Sequence, residues 1–227
     1  MITRREFSLA TALVLAGGWR ATLQAAEPAP AGKRPSAEEV WAGLVAGNKR
    51  FVAGKPKARA LGPLRRELAK GQYPSVIVLG CADSRVSPSL VFDQTVGDLF
   101  EVRAAGNVAD SIAIGSLEYA AAHFHSPVLL VLGHEKCGAV AAVTEAEAAP
   151  TPGIEAIVKK ISPAVARVKG KATGEALLAL AVEANVHQSA QDLLEASPLL
   201  RKAVDGGQLT VIKGLYRLAT GEVVRLT

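Results

Sequence analysis

Both cysteines of this 227-residue chain sit in short segments crowded with groups that bind metals or move protons, Cys81-Ala82-Asp83-Ser84-Arg85 and His134-Glu135-Lys136-Cys137. Thiolate, imidazole and carboxylate together form a donor mixture that Zn2+ takes in a tetrahedral site. Cys81 and Asp83 are two residues apart, so in extended backbone their side chains leave on the same side. His134 and Cys137 are three apart, which gives one face where a helical turn begins. The spacing offers Cys81, His134 and Cys137 as ligands, with the Asp83 carboxylate as a fourth. The competing chemistry for two cysteines is a structural disulfide. A disulfide, however, needs neither Asp83, Arg85 nor His134 at these spacings.

Such side chains need strands to deliver them. Each segment follows a continuous apolar run that ends in glycine, SVIVLG at 75–80 and PVLLVLG at 127–133. Unbroken β-branched runs of this kind read as strands buried on both faces, which belong to a parallel sheet. In an open parallel sheet ligands collect beyond the carboxyl ends of strands, and both segments stand there. Helices alternate with the strands. Ser36-Ala37-Glu38-Glu39 is a capping-box start for a helix reaching Val52, with Gly54 as its stop. Further helices are expected over 59–70, ended by Gly71, over 111–124, capped by Asp110, and over 138–148, continuing from the second motif. After the break at Pro150-Thr151-Pro152-Gly153, apolar spacing of i, i+3, i+4 predicts helices over 154–169 and 174–196. The chain closes with strands near 209–218 and 223–226, joined at Ala219-Thr220-Gly221. The fold class is therefore α/β, a mainly parallel β-sheet flanked by helices with an antiparallel edge strand.

The two motifs, in this order and each after a strand, resemble those of the β-class carbonic anhydrases, Cys-x-Asp-Ser-Arg followed by His-x-x-Cys. The resemblance extends to 44–51 (LVAGNKRF), similar to the family's N-terminal helix, and to 98–107 (DLFEVRAAGN), similar to its second strand and glycine loop. It continues through 116–120 (SLEYA), like the following helix, and 211–216 (VIKGLY), like a late strand, and so covers residues 36–227. It implies a Zn2+ held by Cys81, His134 and Cys137, and reversible hydration of CO2 to bicarbonate and a proton by hydroxide on that zinc. Asp83 would accept the hydroxide's hydrogen bond or close on zinc as fourth ligand, and Arg85 would hold Asp83 through a charge-assisted pair.

The same resemblance implies a substrate pocket lined by Gln72, Phe100, Ala105, Tyr119 and Gly138, contributed in part across a dimer interface. Gln72 would bond a substrate oxygen, and Phe100 and Tyr119 would form apolar wall. Ala105 is smaller than the Val often found there, a change toward a wider pocket, and Ala104 replaces an Asn common before it. Assembly as a dimer or tetramer follows from the same likeness. Two rival readings are a CS2 or COS hydrolase on this fold and a non-catalytic zinc-binding exported protein. Of the other histidines, His123 and His125 lie at a helix end, where a solvated or dipole-complementing role is expected, and His187 is expected at a surface or interface. Trp41 and Phe51 are read as helix faces packed on another surface, which in the resembling family is often the neighbouring subunit.

Residues 3–9 (TRREFSL) resemble a twin-arginine signal, followed by an apolar stretch over 9–18 and small residues around Ala25-Ala26. That stretch is too short to span a bilayer comfortably. The expectation is a signal peptide over 1–26, a flexible proline-bearing leader over 27–35 and a catalytic domain over 36–227, giving a processed periplasmic protein with no stable membrane anchor. Removing 1–26 takes away three arginines and one glutamate and lowers the formal charge from +5 to +3. That mild balance, without a Lys/Arg block interleaved with aromatics, argues against nucleic-acid binding. The remaining length is enough to bury a substantial core without disulfide staples.

Overall fold

In the computed structural model, residues 35–146 and 148–227 are described. The expected signal peptide at 1–26 and all but the last residue of the leader at 27–35 lie outside the described residues. Among the described residues, strands β1 (Val76–Cys81), β2 (Leu99–Ala104), β3 (Val128–His134), β4 (Thr210–Tyr216) and β5 (Val223–Leu226) pair into one sheet in the order β2-β1-β3-β4-β5. The first four strands run parallel, and β5 is antiparallel to β4 at the edge. Every residue of β1 and β3 is buried. Both of their faces are covered, which is why they read as unbroken apolar runs instead of alternating ones.

Helix α1 (Ala37–Val52) covers one face, setting Val40, Trp41 and Leu44 in a cluster with Val76, Val78, Val128, Leu130 and Ile212. Its capping box is formed: the Glu39 N–H donates to Ser36 Oγ, and the Glu39 carboxylate accepts from the Ser36 N–H. Helix α2 (Leu61–Leu68) follows, then the single turn α3 (Pro88–Val91) between β1 and β2. The other face carries α4 (Ser111–Phe124), and the chain between β3 and β4 forms α5 (Gly138–Thr144), α6 (Pro152–Val168), α7 (Gly174–Ala196) and α8 (Pro198–Asp205). There Leu117 of α4 and Val186, Ala190 and Leu193 of α7 cluster with Ile77, Leu79, Leu129 and Val131. Each large side chain buried in these clusters is worth about 1.5–3 kcal/mol. A third cluster, at the carboxyl ends of the strands, joins Cys81 and Cys137 to Val140 of α5, Ile161 of α6 and Val182 of α7.

Element ends differ from the sequence reading in places. α5 stops at Thr144 and not at 148, since Ala146 takes φ 56, a left-handed conformation that a helix cannot continue through. α2 occupies the middle of the expected 59–70. α3 and α8 were not expected, although each begins with a proline after a serine, and the Ser197 hydroxyl accepts from the Leu200 N–H. Among the described residues, no helix is long and apolar enough to cross a membrane.

The chain leaves β1 toward β2 and leaves β3 toward β4, on opposite sides. Between those diverging connections is the crevice where an open parallel sheet binds ligands. Cys81 and His134 are the last residues of β1 and β3, so both stand at its floor.

Candidate metal centre

Cys81 and His134 are delivered by strand ends, and Cys137 by the turn after β3, as the residue that precedes α5. That turn closes with Lys136 at φ 51, an uncommon left-handed conformation for a side chain of this size. The three ligand atoms lie within 4.8 Å of one another and all three residues are buried. The sulfurs of Cys81 and Cys137 are 4.0 Å apart and both cysteines are free, so the structure does not carry the disulfide alternative. Two sulfurs at about 2.3 Å from one tetrahedral ion stand about 3.8 Å apart, and the observed separation fits that arrangement. His134 Nδ1 lies 2.9 Å from the Glu135 carbonyl, which assigns the N–H to Nδ1 and leaves Nε2 as the electron-pair donor. Nε2 is buried and has no hydrogen-bond partner among the described residues. An orphaned acceptor beside two thiols is the donor set of a soft divalent metal.

The protonation of these groups points the same way. The hydrogen bond with Cys137 is foremost in pulling the Cys81 thiol below its ordinary value against the effect of burial, with His134 and the Asp83 and Gly106 N–H groups helping. The same sharing, together with burial, pushes Cys137 up. Burial foremost lowers His134, but the nearby Cys81 sulfur and its charge, with the Glu135 carbonyl, outweigh it and raise the net value. Two sulfurs holding one proton release it when a cation enters, which couples metal binding to proton release.

Asp83 stands at the mouth. Arg85 Nε donates to Oδ1 at 2.9 Å, its Nη2 donates to Oδ2 at 2.6 Å, and its backbone N–H adds 2.9 Å to Oδ1. This is the bidentate fork of arginine on a carboxylate, and it holds the Asp83 carboxyl well below the usual range. Oδ2 lies 3.8 Å from His134 Nε2. Of the two arrangements read from the sequence, the structure shows Asp83 paired with Arg85 beside the ligand atoms. Arg103 of β2 pins the loop: it donates to the carbonyls of Cys81, Asp83 and Val86 at 2.9, 2.7 and 2.8 Å.

Behind Cys81 the turn Ala105–Asn107 carries Gly106 at φ 67, whose N–H donates to Cys81 Sγ at 3.3 Å. A Cβ on Gly106 would lie 2.7 Å from Ile161 Cδ1, so both conformation and packing require glycine there. Likewise a Cβ on Gly133 would lie 2.4 Å from Val186 Cγ2, which shows how closely α7 is pressed onto the end of β3.

Gly138 follows Cys137 directly, and Ala105 follows Ala104, the register partner of Cys81, so both stand beside the ligands. Gln72, Phe100 and Tyr119 do not come to them within one chain. Phe100 pairs with Ile77, four register positions before the Cys81 and Ala104 pair, about 13 Å along the strand. There it meets Tyr119 and Phe124 at ring-centroid distances of 6.4 and 5.7 Å. Gln72 is exposed ahead of β1, and Tyr119 is 51% exposed. His123 stacks on Tyr119 at 4.2 Å, and His187 lies 3.2 Å from Lys213 Nζ, where burial foremost and then Lys213 lower its pKa. Trp41 and Phe51 find partners inside the chain: Arg225 lies over Trp41 at 5.8 Å, and Phe51 sits 6.5 Å from Tyr216.

Residues 76–223 match the carbonic anhydrase family. Carbonic anhydrase 2 of Mycobacterium tuberculosis is 37% identical over 188 residues, spanning 81% of this chain and 90% of that protein. A carbonic anhydrase of Mycolicibacterium smegmatis is 36% identical over the same shares. Among solved structures, the β-carbonic anhydrase CcaA superimposes with a TM-score of 0.67 at 27% identity, over 82% of this chain and 87% of that one. The Coccomyxa β-carbonic anhydrase in complex with acetazolamide gives 0.64 at 27% identity, over 84% and 83%.

Proposed function

This chain belongs to the carbonic anhydrase family and hydrates CO2 reversibly to bicarbonate and a proton, and from that premise we propose that Cys81, His134 and Cys137 hold a catalytic Zn2+ while Asp83 and Arg85 manage the reacting water. The observation that carries this reading is the buried His134 Nε2, without a hydrogen-bond partner among the described residues, within 4.8 Å of two thiol sulfurs. When bound, Zn2+ supplies the Lewis acidity that makes water nucleophilic near neutral pH, an effect for which carbonic anhydrase is itself the reference case.

The remaining work belongs to the chain. Asp83, kept ionised by the Arg85 fork, can only accept, so it takes a hydrogen bond from the reacting water and turns a lone pair toward CO2. Arg85 holds both carboxylate oxygens and thereby fixes the direction in which Asp83 accepts. The Gly106 N–H draws charge from the Cys81 sulfur, which offsets part of the donation from two thiolates. Gln72, Phe100 and Tyr119 lie too far from the cluster of their own chain to touch a substrate there, so in this reading they line the site of a second copy. The half-buried edge strand β2 and the exposed Ile112 and Tyr119 form the surface that such a partner covers. Hydrolysis of CS2 or COS by the same residues is not favoured, since the named relatives are carbonic anhydrases. The twin-arginine-like segment at 3–9 supports export to the periplasm.

Stopped-flow CO2 hydration on protein of measured metal content tests the proposal. One zinc per chain, with metal and turnover lost together in Cys81→Ser and Cys137→Ser, is the expected result; stoichiometric zinc in the double variant overturns the ligand assignment. Sedimentation of the purified protein checks the dimer or tetramer, and fractionation of cells checks the export.

A further inference from the structure

Asn185 is a buried amide in the middle of α7, 1% exposed, in a stretch that carries none of the motifs above. Its Nδ2 donates to the Gly106 carbonyl at 2.8 Å across 79 residues of chain. From the other end of the same residue, the Gly106 N–H donates to Cys81 Sγ at 3.3 Å. One turn along α7, Ser189 Oγ accepts from Asn107 Nδ2 at 3.3 Å, so one helix face holds two consecutive residues of the turn. Those two, Gly106 at φ 67 and Asn107 at φ 46, are both left-handed. Glycine enters this region freely, whereas Asn107 is held there by its surroundings.

We propose that Asn185 is a positioning residue of the metal centre: by holding the Gly106 carbonyl it aims the Gly106 N–H at the Cys81 sulfur, and so sets how much charge that thiolate gives the metal. This rests on Cys81 being a metal ligand. Fold stability alone does not account for the residue. One turn before it on the same helix, Ala181 and Val182 are buried and apolar, and a leucine would fill the place without an amide to satisfy. The Oδ1 of Asn185 has no hydrogen-bond partner among the described residues, so burying this side chain leaves half of it uncompensated. What the amide gains in return is the Gly106 bond. A thiolate that accepts a hydrogen bond donates less to its metal, and the bound ion remains the stronger Lewis acid; outer partners of this kind change activity or affinity about 10–100-fold.

The test compares Asn185→Leu with Gln188→Leu in cobalt-loaded and zinc-loaded protein. Gln188 is the matched control, a buried amide one turn on whose Nε2 donates to Asp192 and not to the turn. In Asn185→Leu the sulfur-to-cobalt charge-transfer band moves to longer wavelength, because the unbonded thiolate is easier to oxidise, and kcat/KM of the zinc enzyme falls about 10-fold or more at unchanged metal stoichiometry. Gln188→Leu leaves both readings at wild type. If Asn185→Leu does not fold, Asn185→Ser makes the same measurement with a shorter polar side chain that withdraws the bond to the Gly106 carbonyl, and the same shift is expected. An Asn185 variant that only melts lower, with band and turnover per metal unchanged, makes the residue part of the core and overturns the proposal. Wild-type protein that takes up no cobalt, or shows no thiolate band, defeats the metal reading itself, which is a different result from a wild-type band that the variant leaves in place.

Discussion

Asp83 is held by Arg85, with side-chain exposures of 17% for the aspartate and 54% for the arginine. Ten residues on, the Asp93 side chain is 1% exposed and is held by Arg50 at 2.5 Å, Arg59 at 2.7 Å and the Lys57 N–H at 3.2 Å to each oxygen. Arg59 also donates to the Asp93 carbonyl. The two carboxylates make the same kind of bond in different settings. At Asp93 both oxygens are occupied from several directions, and the bonds tie the end of α1 and the segment before α2 to the turn after α3. At Asp83 the fork comes from one side, and Oδ2 faces the donor atom of His134 at 3.8 Å. An aspartate–arginine pair therefore says little about its role until its exposure and the direction left open are known.

Asp83→Asn makes the sharpest test of that distinction. It keeps the shape and removes the charge, so kcat/KM should fall about 100-fold or more, the scale of a lost acid–base partner. Metal stays bound through Cys81, His134 and Cys137, and the thermal midpoint stays near wild type because an exposed pair contributes little. Near-wild-type turnover at full metal occupancy would make Asp83 a plain salt bridge and erase the contrast. Asp93→Asn should do the reverse, costing about 2 kcal/mol of stability in urea unfolding. That is less than the 3–5 kcal/mol of a fully buried pair, since the stranded arginines still reach water. Its kcat/KM per folded molecule should match wild type. Arg85→Lys keeps the charge and loses the fork, and should lower kcat/KM about tenfold; an unchanged value would show that charge, and not direction, is what Arg85 supplies.

How far these roles can be read in the sequence follows from where the partners lie. Asp83 and Arg85 stand within five residues of Cys81, after a buried run, so residue type, spacing and strand position all agree. Asp93 takes its arginines from 34 and 43 residues back, and Asn185 finds Gly106 79 residues away. No short pattern marks either. β1 and β3 were legible as runs because both faces are covered, and α1 as a capping box because its bonds are local. Phe100 shows the limit most clearly. The family resemblance implies a pocket wall shared across a dimer interface, but only the register of β2 on β1 shows that Phe100 sits at the opposite end of the strand from Cys81. The serine–proline start of α8 is a usable local signal of a helix N-terminus.

The smallest effect lies in acid and separates the two aspartates by their linkage to folding. Burial foremost would raise the Asp93 carboxyl, but bonds from Arg50, Arg59 and the Lys57 N–H outweigh it and bring the value from 3.8 to about 2. A group whose folded pKa is depressed contributes stability that is fully present above the unfolded value and is lost as pH falls through the folded one. The stability gap between wild type and Asp93→Asn should therefore hold constant from neutral pH to about 5, shrink below about 4 and close near about 2. Asp83 is also depressed, by Arg85 first, but solvent screens that pair, so the gap for Asp83→Asn should be small at every pH. Urea midpoints of both variants in steps of pH give the two curves. An Asp93→Asn gap that survives undiminished at about pH 2 would mean that the network acts through shape and not charge. Two curves of equal height over the same window would mean that exposure is not what divides the working carboxylate from the structural one.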